Sequence, residues 1–167
     1  MKVIRAMELD YGFMIDTFYK VWGGIGVTLS LTALSLIIAL PIAFYMAVIR
    51  IRGHKIGTGI TRFYISFVRG TPLVLQILLM YSLLPSFINF VLKSMGSSFN
   101  VFDNVNPFWY AVIVFSLNTI ALLAEVFRSA LMSIDKGQLE AGVSIGLTEW
   151  QTYRHVIIPQ ALVVALP

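Results

Sequence analysis

Between Val21 and Ile49 no side chain carries a charge at neutral pH, and a run of that length exceeds the ~20 apolar residues needed to cross the hydrocarbon of a bilayer. The pattern predicts a membrane-spanning helix over about 21–49, with slack for tilt. Gly23, Gly24 and Gly26 near its start, and Pro41 within it, read as close packing and a kink. Two more uncharged runs, Gly70 to Leu92 and Asn104 to Ala124, predict spans over about 68–92 and 104–127. Pro107 suits a first helical turn, and Phe108, Trp109 and Tyr110 behind it suit a membrane interface. A fourth apolar run opens at Val156 and reaches Pro167, too short to span. It reads as the start, over 156–167, of a fourth span that stops incomplete. Between the third and fourth runs lies a polar segment, 128–158, with both charge signs and a glycine in its middle. The whole chain, 1–167, reads as one transmembrane domain of an all-α integral membrane protein.

Composition supports that class. Of 167 residues 58% are hydrophobic and 12% charged, which leaves too little polar surface to coat a soluble globule. Lysine and arginine set the orientation. Arg50, Arg52, Lys55 and Arg62 follow the first span, and Arg128, Lys136 and Arg154 follow the third, whereas the 93–106 loop has only Lys93. The first two segments are therefore expected in the cytoplasm and the N-terminus outside, although Lys2, Arg5 and Lys20 pull weakly the other way; Glu8, Asp10 and Asp16 contribute little to the rule. There is no cysteine, so disulfides, thiolate metal sites and cysteine nucleophiles are excluded. No metal site and no cofactor is expected.

The polar segment has helix punctuation. Asp135 followed by Gln138 is an N-cap pattern, and the helix it starts would end at Gly146, the residue best able to turn left-handed. Thr148 with Gln151 forms a capping box for a second short helix leading to Pro159. The product is a bent elbow, with Leu139 and Val143 on one face, Glu140 and Ser144 on another, and small Ala141 and Gly142 that admit a partner's backbone. It reads either as a docking knob or as a capped loop between spans. A DNA-binding helix-turn-helix shares the layout, but the membrane tether and the lack of a basic recognition helix argue against nucleic acid as a partner.

Glu140-Ala141-Gly142, three residues, Gly146, nine residues, Val156, one residue, Ile158 and Pro159 resemble the E-A-A, x3, G, x9, I-x-L-P signature of permease subunits of ABC importers. Gly142, Val156 and Ile158 replace alanine, isoleucine and leucine. "FVRGTPLVLQILLMY" at 67–81, with Arg69, Gly70, Thr71 and Pro72, and "AEVFRSALMSIDKGQLEA" at 124–141 are similar to permeases for polar amino acids of the histidine, glutamine, arginine and cystine type. The resemblance implies a type I ABC importer permease fold of five spans, of which this chain lacks most of the fourth and all of the fifth, in the bacterial cytoplasmic (inner) membrane. It implies three protein partners: an ABC ATP-binding subunit docked on Glu140, Ala141, Gly142, Gly146 and Pro159, a second permease, identical or related, and an extracellular or periplasmic solute-binding protein that delivers an amino acid.

The residues agree on one point about energy: no G-x-x-x-x-G-K-[ST] phosphate loop occurs, so ATP would be hydrolysed by another chain and this one is not expected to be an enzyme. His54 and His155 have no partnered nucleophile. Ionisable groups near a span default to function. Glu125 and Arg128, with Asn118 two turns above Glu125, make a polar stripe on the third span, and Gln76 sits in the second. Their chemistry suits a zwitterionic amino acid. An ion pair with interhelical hydrogen bonding accounts for them equally well. A secondary transporter or channel independent of ATP is the alternative function.

Overall fold

The computed structural model describes residues 10–165 and is helical from end to end apart from short connections. Lys2, Arg5, Glu8, Leu166 and Pro167 lie outside the described residues. In chain order the helices are α1 (Tyr11–Gly23), α2 (Ile25–Ile51), α3 (Lys55–Gly70), α4 (Leu73–Ser94), α5 (Val101–Asn104), α6 (Pro107–Ser133), α7 (Gly137–Ser144), α8 (Glu149–Thr152) and α9 (Ile158–Ala165), with a π turn at Tyr153–Ile157 joining the last two. Three stretches among the described residues are long and apolar enough to cross a bilayer: Tyr11–Ile51, Leu73–Ser94 and Pro107–Ser133.

Helix α6 is the hub, packed against α2, α3, α4 and α9. Its contact with α2 is the most extensive, for a reason written in four-residue steps. Ser35, Ala39, Ala43 and Ala47 form the buried stripe of α2, and Ala121 and Ala124 of α6 are likewise fully buried. Lipid tails are as apolar as leucine, so helices in a membrane associate through close van der Waals packing, which small side chains permit. Ile65 and Val68 of α3 and Ile120 of α6 complete this core. Elsewhere large apolar side chains such as Leu29, Ile37 and Phe90 are more than half exposed, the disposition expected of faces solvated by lipid. Several hydroxyls within the spans turn back onto their own helices, as Ser30 does to the Gly26 carbonyl at 2.8 Å, which spares a polar group from hydrocarbon, whereas the buried Ser35 Oγ has no partner among the described residues.

The helix boundaries differ from the sequence expectation at several joints, and α6 runs to Ser133, beyond the expected end of the third span at 127. Helix continues upstream of residue 21 through α1, with a break at Gly24, because the charges at Asp16 and Lys20 interrupt hydropathy without interrupting the backbone. The 50–62 segment, a loop by its charge, is helical from Lys55, where the His54 Nδ1 accepts the Gly57 N–H at 3.3 Å as an N-cap. The break that separates α3 from α4 falls instead at Thr71–Pro72, inside the stretch that hydropathy presents as a continuous span. Proline disfavours a helical conformation in the residue before it, and Thr71 is extended, with φ −110° and ψ 137°.

Candidate functional site

The polar segment folds as a compact bend. Asp135 does not cap α7 from the N-cap position; Lys136 stands there without a side-chain bond, and the Asp135 carboxylate instead accepts the Gly137 N–H at 2.6 Å. Helix α7 ends at Gly146, whose φ of +89° is left-handed. The Leu147 N–H reaches back to the Gly142 carbonyl and the Gly146 N–H to that of Val143, the paired closure that needs a residue without a Cβ. Thr148 and Gln151 cap each other reciprocally at the start of α8.

What fixes the bend angle is a contact that motif spacing does not reveal. Gly142 is buried, and a Cβ built on it would sit 2.5 Å from Thr152 Oγ1 and closer still to Cγ2. Thr152 is itself fully buried, its hydroxyl donating to the Thr148 carbonyl at 3.1 Å. Glycine at 142 is thus a fitted surface rather than a loosened alanine. Glu140 and Ala141 are exposed, and Val143, Ile145 and Trp150 project apolar surface, Ile145 at 79% exposure. Pro159 is the second residue of α9, directly after the π turn. A wider turn accommodates a ring that lacks an N–H and crowds the carbonyl four residues back.

The other candidate residues fall into two separate clusters. Glu125 accepts from Arg50 of α2 at 2.7 Å and from Arg128 at 2.9 Å. By sequence Arg50 is only an orienting charge; the structure makes it the interhelical partner of Glu125, with a side chain 10% exposed. Arg128 also approaches Met132 Sδ at 3.0 Å. Asn118 is half-buried on α6 and has no hydrogen-bonding partner among the described residues. Gln76 belongs to the second cluster. Its amide nitrogen donates to the carbonyls of Val68 and Thr71 and to Thr71 Oγ1, at 2.9, 3.2 and 2.6 Å, so it closes the C-terminal end of α3 across the break. Arg69 and Gly70 are exposed in the last turn of α3, and Pro72 takes the N-cap position of α4. A cavity of about 490 Å³ opens beside this joint, with Gln76 and Thr71 its polar lining residues among apolar ones such as Leu79 and Leu117.

Residues 39–167 match the model of the family described as the binding-protein-dependent transport system inner membrane component. The chain belongs to that family. This permease is 34% identical over 161 residues to the probable amino-acid ABC transporter permease protein PatM of Vibrio harveyi, covering 96% of the chain and 67% of the relative. It is 32% identical over 155 residues to the arginine transport system permease protein ArtQ of Bacillus subtilis, covering 93% and 65%. A solved structure described as an amino acid ABC transporter with histidines superposes with a TM-score of 0.69 at 31% identity, over 93% of this chain and 66% of that one. The permease thus has the type I importer fold, and it spans about two thirds of the length of the curated relatives it matches.

Proposed function

We propose that this permease is the membrane-spanning subunit of an ATP-driven importer that carries a polar amino acid across the bacterial cytoplasmic membrane, and that 136–159 is where a separate ATP-binding subunit grips it. The observation that carries the reading is the elbow: a bend locked by Gly146 and by Gly142 against Thr152, which leaves the apolar Val143 and Ile145 outward. A rigid bend with an apolar tip transmits displacement, and uncovered apolar surface on a polar segment marks a protein contact. The amino-acid substrate is supported by the functions named for the relatives, arginine among them. A second permease, identical or related, and a solute-binding protein complete the assembly in this reading. Closure of the ATPase pair moves the elbows, and the spans rock to expose the path on alternate sides.

The Glu125 cluster fits an interhelical brace better than a substrate contact, since both carboxylate oxygens are engaged. Asn118 and the Gln76 joint remain the proposed path residues.

Gly146→Val tests the docking role. Valine at φ +89° is strained, so the complete permease should insert normally yet lose co-purification with the ATP-binding subunit and ATP-driven uptake. Undiminished uptake in that variant, or full-rate uptake by wild type without nucleotide as a secondary transporter or channel would show, overturns the proposal.

A further inference from the structure

A second cavity, about 700 Å³, opens where the C-terminal end of α2 faces the elbow. Its wall is apolar, with Phe44 and Val48 from α2, Leu131 from α6 and Ile158 from α9. Its rim carries Arg52, Glu149, Trp150 and Tyr153. Arg52 closes α2 directly behind the hydrophobic run, and Arg50, one residue before the helix end, is already committed to Glu125. Among the described residues neither the Arg52 nor the Glu149 side chain has a hydrogen-bond or ion-pair partner. One free cation and one free anion among the described residues therefore border a pocket whose floor is hydrocarbon.

We propose that this cavity holds a glycerophospholipid with a primary-ammonium zwitterionic headgroup, of the phosphatidylethanolamine kind, its phosphate against Arg52 and its ammonium against Glu149. Phe44, Val48 and Leu131 of the wall belong to α2 and α6, helices that carry spans. Trp150 and Tyr153 are amphipathic rings at the rim, the residue types that sit at headgroup level. A free amino acid would satisfy the two charges but leave the apolar wall wet. Phosphatidylglycerol would pair with Arg52 but offer Glu149 only neutral hydroxyls in place of an ammonium, whereas a choline headgroup has no N–H to offer the carboxylate. Bound there, the lipid would join the end of α2 to the elbow. The inference needs only the fold and the membrane, so it stands or falls separately from amino-acid import.

Trp150 is its own reporter. With Trp22→Phe and Trp109→Phe it becomes the sole tryptophan of the three. Phosphatidylethanolamine with brominated chains, titrated into the detergent-solubilised full chain, should quench it saturably. Half-quenching should come at about tenfold lower mole fraction than for brominated phosphatidylcholine or phosphatidylglycerol, the factor expected of one hydrogen bond to a charged group. Arg52→Gln should abolish saturation for every lipid, and Glu149→Gln should remove only the preference for ethanolamine over choline, with helicity by circular dichroism unchanged in both. Equal quenching by the three lipids, quenching unaffected by Arg52→Gln, or protection of Trp150 by a free amino acid in place of lipid overturns the site.

Discussion

Thr152 occupies the space that any side chain on residue 142 would need. Gly142→Ala should therefore cost about 1–3 kcal/mol, the usual range for overpacking, despite alanine's better helix propensity. Thr152→Ala in the same chain should restore most of the loss, and a double-mutant cycle read by thermal unfolding in detergent checks the coupling. Additive losses would mean the two residues do not share the space. Glu125→Gln tests the brace. It leaves Arg50 largely buried without a counter-charge, and since removing one partner of a fully buried pair costs ~3–5 kcal/mol, about 2 kcal/mol is expected at this partly solvated site. No change in the unfolding midpoint would reduce the pair to decoration. At this scale the sequence is half legible. Helical spacing puts Glu125 beside Arg128, but Arg50 is 75 positions away from Glu125, a distance that no periodicity bridges. Thr152 lies inside the motif's nine-residue gap, where any residue reads as filler.

Among the elements, the joint between α3 and α4 depends on one amide. Gln76→Leu would strand the Thr71 carbonyl and leave that of Val68 with only the Thr71 hydroxyl at 3.3 Å, and an unpaired buried acceptor costs about 1–3 kcal/mol. Faster hydrogen–deuterium exchange confined to residues 69–76 is the expected signature; exchange matching wild type would show the joint to be held otherwise. The spans themselves are plain in the sequence because absence of charge over about twenty residues is a strong signal. Their joints are not, because Lys20 and Asp16 look like ends while the backbone runs on, and Arg62 looks like a loop while α3 forms around it. The stripe Ser35, Ala39, Ala43, Ala47 is visible at spacing four, yet only its partners Ala121 and Ala124 show which face of α2 is inward.

For the molecule as a whole, orientation is the property most open to test. The chain has no cysteine, so single cysteines are clean probes in intact cells. Lys136→Cys should resist a membrane-impermeant maleimide until the membrane is opened, and Ser97→Cys should react at once; the reverse pattern would place the elbow outside and undo its proposed engagement by an ATPase. The fold class is legible from hydropathy, and the family from three short stretches in order, whereas the way α6 gathers the other helices emerges only from the folded chain. The π turn at Tyr153–Ile157 carries a final consequence. It holds one residue more than an α-helical turn would, so a single deletion there would leave an unbroken rod, yet rotate everything beyond it by about 100°. Ala161, now buried at 4% exposure, would swing away and Leu162 would be driven toward α6. The molecule's phase, the angular agreement between elbow and bundle, is stored in that one surplus residue.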